Sequence, residues 1–145
     1  MTINLAQYAK PCDSIVSLSE QGKTFKLYNA SAFAQVQLDG EVIPAGQGPK
    51  CCDYYLYDHD LTELFVELKG RQIEDGLKQL LSSIQLFKRN FPNKYAFIVS
   101  SKVPPASSTK RQQAESKMAR CGVKLHIKNS PAHYEYLTNG TIKRK

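Results

Sequence analysis

The chain reads as an α/β protein: a mixed central β-sheet flanked by helices. Three observations predict it. Residues 63–69 alternate cleanly, with Leu64, Val66 and Leu68 on one side and Phe65, Glu67 and Lys69 on the other, as a strand requires. The next segment carries Ile73, Leu77, Leu80, Ile84 and Phe87 at steps of three and four, one apolar stripe along a helix. Residues 95–100 (YAFIVS) then form a short, nearly continuous apolar run, the pattern of a strand covered on both faces. Strand, helix, strand in that order predicts a parallel pair joined by a right-handed crossover.

The elements follow in order. Residues 14–19 predict a short helix capped by Asp13 or Ser14, stopped at 21–23, and residues 25–28 a strand. Residues 33–38 alternate as a half-buried strand, and Asp39-Gly40 predicts a tight hairpin whose return begins at 41–43. The segment 44–49 (PAGQGP) is a surface loop, without the Gly-Lys-Ser/Thr of a phosphate-binding loop. Residues 52–57 form an aromatic-rich strand, ended by the turn residues 58–60. In the helix after Lys69, Glu74 and Asp75 occupy the first turn, and Lys88 and Arg89 are placed in the last, both matching the helix dipole. A second helix is expected over 109–120, ended by Cys121-Gly122, and a last strand over 123–127. His126 falls on that strand's polar side and is read as a surface residue. The remainder, 129–145, is a basic tail, and its end, Lys143-Arg144-Lys145, reads as a disordered arm adding non-specific affinity.

A length of 145 residues, with 41 % hydrophobic and 23 % charged, fits a single domain over 1–145, with a core at about 33–128 and a basic tail at about 129–145. No apolar run approaches a membrane span, and the first residues lack a signal-peptide pattern, so a cytoplasmic protein with no membrane partner is expected. Cys12, Cys51, Cys52 and Cys121 are then expected as reduced, buried thiols. With no C-x-x-C pair and no ligand-like histidine spacing, a zinc site is not expected. Charge is unevenly distributed. Residues 1–85 hold 7 Lys/Arg against 11 Asp/Glu, a net −4, whereas residues 86–145 hold 13 against 2, a net +11. A basic half beside an acidic half suits a polyanion held by the first and a cation held by the second.

The acidic cluster centres on Asp53 and on Glu67-Leu68-Lys69 at the end of the following strand. If the two strands are neighbours, Asp53 and Glu67 converge, and two converging carboxylates are usually held together by a cation. Mg²⁺ takes one or two carboxylates and retains waters, a set these residues offer. Lys69 beside them is placed to orient a water or stabilise charge on a phosphate oxygen. Asp39 and Glu41 read first as turn residues and only second as further ligands.

Asp53, then Glu67-x-Lys69 closing the next hydrophobic strand, then an amphipathic helix, resembles the PD-(D/E)xK nuclease superfamily over residues 36–100, with Cys52 standing where the motif's proline is often found. The resemblance implies a restriction endonuclease-like core, or that of a junction resolvase. It implies Asp53 and Glu67 as ligands of Mg²⁺ or Mn²⁺, and Lys69 as the lysine that positions or activates water. Gln79 is the helix glutamine of many members, with Gln72 and Gln85 as competitors, and Glu20 is a further metal-binding acid from the first element. It also implies a metal-dependent nuclease, cutting DNA rather than RNA, and a homodimer. Lys102, Lys110, Arg111, Lys117 and Arg120 are the candidate phosphate contacts. Tyr55 shares the parity of Asp53 and is a lesser candidate for substrate contact. The alternatives are an inactive nuclease-fold subunit that binds nucleic acid or serves assembly, and a non-enzymatic α/β interaction protein.

Overall fold

A computed structural model describes residues 4–44, 46–69, 73–105 and 107–145. After a single 3-10 turn at Leu5–Tyr8 come β1 (Lys10–Pro11), β2 (Ile15–Glu20), β3 (Lys23–Tyr28), β4 (Ala34–Gln37), β5 (Tyr54–Tyr57), β6 (Thr62–Leu68), α1 (Ile73–Phe87), β7 (Asn93–Ser100), α2 (Thr109–Arg120), β8 (Val123–Asn129), β9 (Ala132–Tyr136) and β10 (Ile142–Arg144). Two mixed sheets result. The large one has strand order β1-β4-β5-β6-β7-β8 and the small one β10-β9-β3-β2.

The molecule is built in layers around the large sheet. One face carries Val36, Tyr55, Phe65, Ala96, Ile98 and Ile127, which pack against Leu77, Leu80, Ile84 and Phe87 of α1 and Ala114 and Met118 of α2. The other face carries Leu56, Leu64, Val66, Leu68, Phe97 and Val99, which meet Val16, Leu18, Phe25, Leu27, Ala132 and Tyr134 of the small sheet. Alternation along β6 therefore sorts residues between two cores, and all seven of its residues are buried. Its pairing with β7 is parallel, as the strand–helix–strand order predicts. β7 lies between β6 and β8 and is buried from Tyr95 to Ser100. The four thiols are free, and Cys51 and Cys52 both join the helix-side core rather than opposite faces.

Several expectations are corrected. Residues 15–20 form β2, not a helix: Val16 and Leu18 are buried while Ile15, Ser17 and Ser19 are exposed, a period of two. Gln21 and Gly22, at φ 52° and 73°, make the two-residue turn into β3. Asp39-Gly40 does turn the chain back, the Ile43 N–H donating to the Leu38 carbonyl and the Gly40 N–H to the Ile43 carbonyl, both at 2.9 Å, but the return does not grow into an antiparallel strand. β4 pairs instead with β5, and Val42 and Ile43 tuck into the helix-side core, where Pro44, lacking an N–H, cannot extend a ladder. α1 stops at Phe87, so Lys88 and Arg89 lie just beyond it.

The segment 129–145 is no disordered arm. β9 pairs parallel with β3, and β10 antiparallel with β9. Tyr134 is stacked on Phe25 at 5.8 Å and meets Phe97 edge-on at 4.6 Å, which closes the core between the sheets. His126 is drawn into that closure. It stacks on Phe97 at 5.1 Å and meets Tyr134 edge-on, and burial lowers its pKa to about 4. It is therefore a half-buried packing residue kept neutral, rather than one standing free at the surface.

Candidate active site

The register of β5 against β6 pairs Tyr54 with Val66, so Asp53, one residue ahead, stands across from Glu67. Side chain and backbone lock the two together. The Asp53 N–H donates to Glu67 Oε1 at 3.1 Å, and the Leu68 N–H donates to Asp53 Oδ2 at 2.8 Å. Lys69 stands on the same side, its Nζ 3.8 Å from Glu67 Oε2, and its backbone N–H donates to the Val99 carbonyl at 2.9 Å. The structure thus brings Asp53, Glu67 and Lys69 together at the end of β6.

Helix α1 closes over this end. Gly76 is the reason it can. A Cβ there would lie 3.1 Å from Lys69 Cγ, 3.4 Å from Glu67 Cγ and 3.5 Å from Ile98 Cδ1, so only a bare backbone fits without displacing the pair. Two turns on, the buried Ser83 hydroxyl accepts from the Cys52 N–H at 2.7 Å and donates to the Gln79 carbonyl at 2.9 Å. That bond fixes the backbone immediately before Asp53. The helix face next to the acids is thus small and polar, while the stripe of leucines anchors it farther along.

Burial gives the acids unusual electrostatics. Glu67 is 2 % exposed. Desolvation first, and the neighbouring Asp53 charge second, push its carboxyl up to about 9, with Lys69 opposing. Burial raises the Asp53 carboxyl as well, but the Leu68 N–H and a hydrogen bond with Glu67 hold it down. Burial thus favours the protonated form of Glu67 when no cation is near. Two carboxylates that cannot both ionise alone can both ionise around a cation.

No family model, no curated protein and no solved structure matches the chain.

Asp53 and Glu67 fit a small hard cation as a two-carboxylate set, since Mg²⁺ or Mn²⁺ would fill its remaining positions with water. They do not make a closed protein cage. Among the described residues no three His, Cys, Asp or Glu side chains stand close enough together to hold a metal. Glu20, expected as a further ligand, is not gathered into one ligand group with them. Its carboxylate accepts from the Tyr54 hydroxyl at 3.3 Å, and its charge reaches Asp53 only through the field.

A cleft of about 440 Å³ opens beside Lys69 and Gln79, and Lys50, Asp75, Lys78 and Ser82 complete its lining. The acids themselves are not among its walls. Lys69 is the link between cleft and carboxylates. Gln79 lines the cleft with Lys69, whereas Gln85 is exposed farther along α1 and Gln72 lies outside the described residues. Tyr55 makes no surface, being fully buried with its hydroxyl donating to Glu63 at 3.1 Å.

The basic candidates divide. Lys102 is exposed just past β7 and leaves the sheet at the same end as Lys69, because β6 and β7 run parallel. Lys117 and Arg120 are exposed along a shallow groove on α2. Lys110 is ion-paired with Glu74 of α1 on the surface. Arg111 is turned inward: its Nη1 donates to the Pro104 carbonyl at 2.8 Å and its Nε lies 3.4 Å from Glu115. Sequence reasoning missed Lys50, Ser83 and Gly76. Lys50 ends a loop that carries no periodic signal, and Gly76 reads in sequence only as a weak spot in a helix.

Proposed function

We propose that the chain is a divalent-metal-dependent nuclease with a restriction endonuclease-like core, hydrolysing phosphodiester bonds of nucleic acid, DNA in preference to RNA. The observation that carries this reading is the Asp53–Glu67 pair with Lys69 3.8 Å from Glu67, the lysine joining the acids to a lysine-walled cleft. Mg²⁺ or Mn²⁺ bound by the two acids would supply charge neutralisation at the phosphate. Lys69 is placed to orient the attacking water. That water's oxygen forms the new bond to phosphorus as the bond to the leaving oxygen breaks, and the leaving oxygen takes up a proton. Gln79, lining the same cleft, is placed to steady the water or the lysine. Lys102, Lys117 and Arg120 extend the positive surface that a polyanion would follow. A homodimer would set two such sites against two strands.

A second reading has its own observation. The two carboxylates already accept backbone N–H groups, Asp53 from Leu68 and Glu67 from Asp53, and among the described residues no third ligand stands with them. On that ground the fold would serve as an inactive nucleic-acid-binding or assembly subunit. The experiment that separates the two is cleavage of supercoiled, linear and single-stranded DNA and of RNA, with Mg²⁺ or Mn²⁺ and an EDTA control. The nuclease reading expects metal-dependent cutting that falls about 10²–10⁴-fold in Lys69→Ala and in Asp53→Asn. Salt-sensitive binding with every substrate left whole would select the inactive subunit.

A further inference from the structure

The lysine-walled cleft holds more positive charge than the reaction at Lys69 calls for. Lys50 enters it from the segment before β5, Lys69 from the end of β6, and Lys78 from the exposed side of α1. Among the described residues one acid, Asp75, shares the lining. Three ammonium groups around one concavity repel each other, and the low-dielectric wall behind them concentrates their field. A multiply charged anion relieves that repulsion. Lysine binds phosphate as a point charge, needing no fixed fork geometry, and the neutral donors Gln79 and Ser82 complete a set suited to phosphate oxygens. A volume of about 440 Å³ is in the range of ligand-binding clefts.

We infer that Lys50 and Lys78 seat a second backbone phosphate of the substrate, adjoining the one presented to Lys69. The inference rests on the nuclease reading for its meaning, since that reading makes Lys69 the neighbour of the bond cut. The binding itself does not depend on cutting. The substrate it selects is a polynucleotide with a charged linkage next to the scissile one, in preference to an isolated phosphodiester. Lys50 and Lys78 are both exposed and make no core contact, so their charge can be removed without disturbing packing.

The test is the salt dependence of binding of a fluorescein-labelled single-stranded 20-mer DNA, followed by anisotropy in EDTA. The double variant Lys50→Gln/Lys78→Gln is compared with wild type and with Lys88→Gln/Lys124→Gln, an equal loss of charge from exposed positions elsewhere. Thermal unfolding checks that each folds. Loss of that one phosphate seat lowers the magnitude of the slope of log K against log salt by about 0.7, and the control pair lowers it less. A decrease no greater than the control's overturns the proposal, and so does an absence of binding by wild type. Metal-dependent cleavage is measured on the same proteins. An altered slope without cutting keeps the phosphate seat and removes the nuclease reading. Cutting by wild type with a slope no more altered than the control's does the reverse.

Discussion

Glu67 is stabilised where it costs most to ionise. Its folded pKa, raised by burial and by Asp53 from an ordinary 4.5 to about 9, means that the folded chain holds a proton the unfolded chain has released. Stability is therefore full below about pH 4.5 and is lost as the pH rises toward 9. Glu67→Gln keeps the shape and removes the titration. It should be more stable than wild type at pH 8 in EDTA and gain nothing near pH 4, as read by thermal unfolding. Added Mn²⁺ should raise the midpoint of wild type and not of the variant, because a ligand that binds only the folded state stabilises it. Equal pH profiles for the two proteins would remove Glu67 as the titrating group.

At the scale of elements, the decisive contact is α1 against the end of β6. Glycine inside a helix costs about 1 kcal/mol relative to alanine, so Gly76→Ala should favour the helix itself. Its new methyl would meet the flexible stem of Lys69 at 3.1 Å, and that side chain can yield. The expected outcome is a thermal midpoint equal to or above that of wild type, together with reduced metal-dependent cleavage as Lys69 moves off the acids. A variant as active as wild type would show that the position of Lys69 does not limit the reaction. Elements with a strong local period were legible in advance: β6 and α1, and with them the facing of Glu67 and Lys69. β2 was not, because six residues around Val16 and Leu18 suit either a short helix or a strand until a partner is known. Gly76 was not legible as a site residue either, since its importance lies in what approaches it through space.

For the molecule as a whole, the small sheet is what sequence could least supply. Its strands come from both ends of the described chain, and the β3–β9 pairing joins Leu27 to Tyr134, more than a hundred residues apart, where no periodicity or turn signal reaches. The basic composition of 129–145 pointed to a solvated arm, yet Ala132, Tyr134 and Ile142 are buried among Phe25, Leu27 and Phe97. Deleting residues 129–145 should therefore expose that core. The truncated chain is expected to lose its cooperative thermal transition, measured by near- and far-UV circular dichroism, whereas a dispensable arm would leave the transition intact. Among the described residues no helix is long and apolar enough to cross a membrane.

The parallel seat of β9 beside β3 also sets a schedule. A ribosome delivers β2 and β3 more than a hundred residues before β9, so the hairpin waits over that length of chain before its open edge is paired. Until then Phe25 and Leu27 lack the covering that Tyr134 gives them. The wall that carries Glu20 toward Asp53 belongs to that same hairpin. The acid pair thus reaches its final surroundings only after β9 has been added, more than a hundred residues behind the hairpin that carries Glu20.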